Sequence, residues 1–516
     1  MVGQYKRISL LLAMILIFTV WLPALAAENA ASAAGGAVMT REELNRPGRK
    51  VGVSTGSASM LIVEKELPEA EIVYFEDNVS AYEAVAQGKI DAYIFARWQM
   101  QLAIDSGLRG VHLLEENMDE EVRVAAGISP VTKIPDLGGR LNAFIAEKKA
   151  DGTLEDMYQR WTISHDEKMP DIAPVQNPQY RLTVGTSGTV PPYSYYIGVD
   201  LAGYDIELAH RFAAWLGADL AFKVYDYGAI IPAAVTGDVD CIMANLNVTP
   251  ERAEALPFSD ELYSEEIGIM VRGEASAAFG NSIRDSFNKT FVRENRWQLF
   301  VSGIRNTLLI TVLSILFGTA LGFGVFMLCR NGNPVANGIT GVSLWLVQGT
   351  PMVVLLMILY YIIFGSITVS GLTVAMIGFT LTFGAAVFSL LKMGVGAVDS
   401  GQYEAAYALG YSNRRTFYRI ILPQALPHVI SAYRGEIIGL IKATAVVGYI
   451  AVQDLTKMGD IVRSRTYEAF FPLIAVTAIY FVLEGLFGLL VSRIGIRLDP
   501  KHRSPEHILK GVKTDD

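Results

Sequence analysis

The chain has 516 residues, 51% of them hydrophobic, with a mean hydropathy of +0.33 and a net charge of −9. It is too long for one core and too apolar for a wholly soluble protein, and its acidic balance argues against nucleic acid as a partner. Two cysteines, Cys241 and Cys329, and six histidines show no metal-ligand spacing, so no disulfide framework, metal or cofactor is expected.

In chain order, Lys6 and Arg7 precede an apolar run, Ile8 to Ala26, that ends in Ala24-Leu25-Ala26. Residues 1–27 therefore read as a signal peptide or an N-terminal anchor, and the domain after them is expected to be exported. Residues 28–48 are an Ala/Gly-rich flexible lead-in. Residues 49–165 and 181–280 read as soluble α/β, because short β-branched runs such as Lys50-Val51-Gly52-Val53 and Arg181-Leu182-Thr183-Val184 alternate with helical periodicity. Between them, 166–180 carries Pro170, Pro174 and Pro178 and reads as a linker.

Residues 283–498 change solvent. Apolar stretches near 303–328, 340–364, 370–391, 428–450 and 470–492 each approach the roughly 20 residues a helix needs to cross a bilayer. The fourth contains Arg434, Glu436 and Lys442, which are expected to face a bundle interior or a water-filled path. Arg330, the cluster Lys392 to Arg419, and Arg493 with Arg497 fall on one side of five spans. The positive-inside rule makes that side, with the tail 499–516, cytoplasmic and puts residues 28–290 outside.

The loop between the third and fourth spans holds Glu404-Ala405-Ala406, Gly410 and, after nine intervening residues, Ile420-x-Leu422-Pro423. Glu404 to Leu409 reads as a short helix ended by a φ > 0 turn at Gly410. Tyr411 to Leu422 reads as a second helix, with Phe417, Ile420 and Ile421 on one face and Pro423 as its stop. This spacing resembles the loop that ABC importer permeases present to their ATPase subunits. Residues 283–492 resemble the permease of polar amino-acid ABC importers, including Arg296-Trp297, Gly349-Thr350-Pro351 and Lys442-Ala443-Thr444. The resemblance implies an all-α five-helix permease, coupled through Glu404–Pro423 to two copies of a separate ATPase, and a homodimer through the permease. The chain has no G-x-x-x-x-G-K-[ST] phosphate loop, so it reads as a transport subunit rather than an enzyme.

The second soluble piece carries Pro191-Pro192-Tyr193, Gly203-Tyr204-Asp205-Ile206-Glu207, Thr249-Pro250-Glu251-Arg252 and Phe258-Ser259-Asp260. It resembles lobe 1 of periplasmic polar amino-acid-binding proteins, and the first piece resembles lobe 2 with the C-terminal helices. The implied fold is an α/β bilobed binding domain with its lobe order inverted, by circular permutation or by decay of a tandem. By that resemblance Arg252 grips the ligand α-carboxylate, Asn245 and Asn247 assist, Tyr227 covers the ligand, and Ser57 and Ala58 offer backbone N–H groups. Ser187 stands where several relatives carry an Asp, and Ala96 where the family has the Asp that pairs the α-ammonium. Either another residue supplies that carboxylate, the ligand is a small acid lacking an α-amine, or the chain is a binding-impaired importer remnant. Two further classes compete: a ligand-gated channel, in which pore helices would interrupt the lobes and a filter sequence would be needed, and a membrane-anchored sensor, which would need a cytoplasmic signalling domain after the last span.

Overall fold

The structure, a computed structural model, describes residues 40–273 and 283–498, except 331, 366, 368 and 469. The signal or anchor (1–27), most of the lead-in and the tail 499–516 lie outside the described residues. The chain divides into two compact units.

The first unit takes the described residues to Val124 together with Tyr263–Asp285. Its five-stranded sheet runs in the order Glu71–Phe75, Lys50–Ser54, Ala92–Ala96, Tyr263–Arg272, Val111–Val124. The first three strands are parallel, and Tyr263–Arg272 is antiparallel to both its neighbours. Strand periodicity sorts the apolar residues onto two faces. Val51, Val53, Ala92, Ile94, Ile267 and Ile269 pack on Ala58, Ile62 and Val63 of the helix Ala58–Glu66. Tyr93 and Met270 pack on Tyr82, Val85 and Met100.

The second unit joins the other lobe to the membrane helices. Its sheet runs Ala218–Val224, Tyr180–Thr186, Cys241–Ile242, Gly127–Ile128, with only the last strand antiparallel. The helix Tyr204–Leu216 covers it and stops at Gly217, whose φ of 69° is left-handed backbone that glycine adopts without strain.

Each sheet thus contains a strand from the other soluble piece: 263–272 completes the first, and 127–128 completes the second. Lobe membership therefore changes at 124/125 and 262/263 rather than in the 166–180 linker, and the helices Leu137–Ala150 and Thr153–Tyr158 belong to the second unit. This corrects the expected boundaries 49–165 and 181–280. Hydrogen-bonded pairing of strands decides membership, and proline content does not report on it.

Among the described residues three helices, Trp297–Cys329, Gly371–Gly396 and Phe471–Gly495, are long and apolar enough to cross a membrane. Two bent pairs raise the number to as many as five: Pro334–Gly349 with Met352–Ile363 at 111°, and Asn413–Ile450 with Leu455–Thr466 at 60°. The straight span expected over 340–364 is broken. Thr350 is extended (φ −96°, ψ 127°), because Pro351 disfavours helical backbone in the residue before it and has no N–H to donate. Gly318 and Gly322 let the first and third spans pack closely: a Cβ at Gly318 would sit 3.0 Å from the Thr380 carbonyl. Arg434, Glu436 and Lys442 are exposed on this chain rather than buried in its bundle, and Lys442 Nζ lies 3.5 Å from Glu484 Oε2.

Candidate functional site

In lobe 1 the Thr249 hydroxyl caps the short helix Pro250–Ala255 by accepting the Arg252 N–H at 3.3 Å, and Pro250 sits in its first turn where a missing N–H costs nothing. This cap fixes where Arg252 begins. Arg252 is 8% exposed, and its guanidinium donates to the Asn247 carbonyl at 2.8 Å and lies 5.7 Å from the Tyr227 ring centroid. The planar fork of a guanidinium suits the bidentate binding of a carboxylate. The structure brings Arg252, Asn247 and Tyr227 together. Tyr227 opens the 3-10 turn Tyr227–Ala229.

Asn245 is buried with φ 51°, a left-handed conformation that asparagine tolerates. Its N–H donates to the Asp205 carboxylate at 2.6 Å. Burial pushes Asp205 up from 3.8 to about 7, and the Asn245 N–H only partly opposes it. The folded lobe keeps this proton up to about pH 7, whereas the unfolded chain loses it near pH 4. Stability from this group is therefore full below about pH 4 and declines as pH rises towards 7. Thermal melts of Asp205→Asn protein should show a flatter pH dependence over that interval. A slope equal to that of the wild type would exclude Asp205 as its source. Ser187 is wholly buried in the turn after Tyr180–Thr186, beside Gly188 with φ 66°.

In lobe 2, Ser57 occupies the position before the helix that begins at Ala58, without a side-chain cap bond to it. Its N–H and its hydroxyl both donate to the Ser54 carbonyl, at 3.0 and 2.7 Å. The expectation that Ser57 offers its N–H to a ligand is corrected: a tight turn uses that donor. Ala96 ends its strand, 2% exposed, directly opposite Ile267. Two residues along from Ile267, on the same face, Glu265 is 2% exposed and accepts the Trp98 indole N–H at 3.0 Å.

The loop between the third and fourth spans forms a helix Gly401–Ala408, then Gly410 with φ 78°. Gly410 N–H donates to Tyr407 O at 2.9 Å and Tyr411 N–H to Ala406 O at 3.0 Å, the paired closure of a left-handed helix end. Glu404, Ala405 and Gly410 are exposed, and Ala406 is buried. Ser412 caps the next helix, in which Phe417 and Ile421 are buried and Ile420 is half-buried. Pro423 does not stop that helix. A π-helical turn, Phe417–Ile421, leads straight into Leu422–Ala443, and Pro423 lies in the first turn of the new segment, where its missing N–H is tolerated. Arg330, at the end of the first span, anchors the loop by donating to Asn413 Oδ1 at 2.8 Å and stacking 4.0 Å from the Phe417 ring centroid.

Residues 182–416 match the family of bacterial extracellular solute-binding proteins, family 3. The putative glutamine transport system permease protein of Rickettsia bellii is 34% identical over 204 residues, which cover 92% of that protein and 38% of this chain. The chain belongs to the polar amino-acid ABC importer family. The L-cystine transport system permease of Bacillus subtilis is 28% identical over 90% of its length and 40% of this chain. A crystal structure of an amino acid ABC transporter with histidines is 30% identical, with a TM-score of 0.36, covering 94% of that chain and 39% of this one. The importer is a multi-pass membrane protein whose solute-binding domain lies outside the cytoplasm.

One contact of this importer was not legible in the sequence. Lys457, in the helix after the fourth span, pairs its ammonium with Asp226 of lobe 1 at 2.7 Å and donates to the Tyr225 carbonyl at 3.1 Å. No local signal marks a partner 231 residues away.

Proposed function

We propose that the chain is the receptor and membrane-spanning subunit of an ATP-driven importer for polar amino acids, coupled to a separate ATPase through Glu404–Pro423. The observation that carries this reading is the exposed helix pair closed at Gly410, on the side of the bundle away from the lobe 1 contacts. In this reading the binding domain is a single unit of permuted lobe order, and two chains form a homodimer with two ATPase subunits. The charged Arg434, Glu436 and Lys442, exposed on one chain, support a water-filled path between two copies, because such charge facing lipid is costly. Ligand closes the lobes by a hinge motion, ATP-driven approach of the ATPases moves the two loops as levers, and the helices open inward. Proteoliposomes holding the chain and its ATPase test this directly. Uptake of a labelled polar amino acid should require ATP on the loop side, and ATP-independent uptake would refute the coupling.

The ligand class turns on Ala96. Glu265 supports an α-amino acid, because its strand position lies about 7 Å diagonally from position 96 on the same sheet face, within reach of a longer side chain. Glu265→Gln should weaken amino-acid binding by about 30-fold or more, and adding Ala96→Asp should restore most of it. If calorimetry of the wild-type chain instead finds an acid without an amine and no amino acid, the ligand class is the small-acid alternative.

A further inference from the structure

The contact of lobe 1 with the membrane helices has the chemistry of a permanent seam. Its charged centre is Lys457, 5% exposed, against Asp226. Around it Asp226 N–H donates to the Gly448 carbonyl at 3.2 Å, Gln453 Nε2 donates to the Tyr196 hydroxyl at 2.6 Å, and Tyr360 donates its hydroxyl to Asp238 at 2.7 Å. Lys223 and the Tyr225 hydroxyl bond the same Asp238 carboxylate.

These polar contacts sit within continuous apolar packing. Tyr225, Ala229, Ile230 and Ala233 of the lobe share one buried cluster with Leu356, Val447 and Ile450 of the membrane helices. Tyr196 shares a second with Leu455, Met458 and Ile461. A receptor that docks and leaves on each cycle needs a surface that tolerates water in both states, and transient interfaces are accordingly polar. Lifting lobe 1 from this seam would expose two apolar clusters and leave the buried Lys457 without its half-buried carboxylate partner, which is the character of an obligate interface.

We infer that lobe 1 is a fixed part of the permease's outer face and stays seated through the transport cycle. Opening and closing on ligand is then left to lobe 2, through the chain crossings at 124/125 and 262/263. The seam also sets the ligand turn. Tyr227 follows Asp226 directly, so the Lys457 pair and the Gly448 carbonyl hold the start of the turn that carries the covering aromatic. The inference goes beyond the transport reading and is testable without knowing the ligand.

A cysteine pair at positions 226 and 448 suits the test. A Cβ at Gly448 would fall against the Asp226 carboxyl group, so two thiols there meet within the short reach of a disulfide. D226C/G448C would be made in the full chain with Cys241 and Cys329 replaced by alanine, in membranes containing the complete transporter. Disulfide formation would be followed by peptide mass mapping in ligand-free membranes, with a mixture of the twenty L-amino acids, and with ATP and vanadate. A seated lobe predicts nearly complete cross-linking at the same rate in all three, and uptake by the locked protein within about twofold of the reduced protein. The inference is overturned by a rate that changes more than about tenfold with ligand or nucleotide, by absence of the disulfide, or by uptake that stops on oxidation and returns on reduction. Should that variant fail to accumulate, Y196C/Q453C bridged by a short bis-maleimide reads the same seam. The cross-linking rates are independent of transport, so their failure is separable from failure of the importer reading.

Discussion

Calorimetry on full-length Arg252→Ala protein is expected to show amino-acid binding weakened at least about 100-fold, the equivalent of about 3 kcal/mol. The guanidinium is buried, and its bond to the Asn247 carbonyl holds the planar fork in one orientation. Truncation removes both charge and geometry. Arg252→Lys separates the two: it keeps the cation but cannot form the parallel pair of bonds, and it is expected to recover only a small part of the affinity. Arg252 also packs under Tyr227, so the alanine variant should lose about 1 kcal/mol of lobe stability, which a thermal melt measures independently. Wild-type affinity in a folded Arg252→Ala protein would remove the arginine from the ligand site.

Gly410→Val is expected to leave ligand binding unchanged while ATP hydrolysis proceeds with little uptake. Gly410 has φ 78°, and a Cβ there would meet nothing within 4 Å. The penalty is therefore conformational rather than steric. Left-handed backbone costs an L-residue about 1–2 kcal/mol, and more for a β-branched one. Relieving that strain opens the Tyr411-to-Ala406 closure and re-aims the helix Gly401–Ala408 relative to the next. Gly410→Asn is the discriminating control, because asparagine adopts this conformation readily and should retain most transport. If valine and asparagine behave alike, the turn's geometry does not carry the coupling.

The local features of this protein were legible in its sequence, and the distant pairings were not. Thr249-Pro250 specifies a capped helix start, and Gly410 specifies a left-handed turn, because a few adjacent residues decide each outcome. Pro423 misled for the same local reason. Proline reads as a stop, yet a preceding π-helical turn, Phe417–Ile421, carries the chain into a new helical segment that tolerates it. Pro351 was read only as part of a resemblance, although it breaks the second span at Thr350. The strand Tyr263–Arg272 lies next to lobe 1 in sequence but pairs with Ala92–Ala96 and Val111–Val124, so lobe membership depends on partners more than 130 residues away. Glu265 and Lys457 share that obscurity: their burial follows from tertiary neighbours that no spacing rule announces.

On the proposed function, a nucleotide-driven motor moves this bundle from the cytoplasm through the Gly401–Ile421 hairpin. A photo-crosslinking residue at Leu409, which is 76% exposed at the tip, tests that most directly in membranes of the producing cell. The account predicts one dominant adduct, with a protein carrying a phosphate-binding G-x-x-x-x-G-K-[ST] loop. Labelling of position 409 by a membrane-impermeant reagent added outside intact cells, with no such adduct, would contradict it.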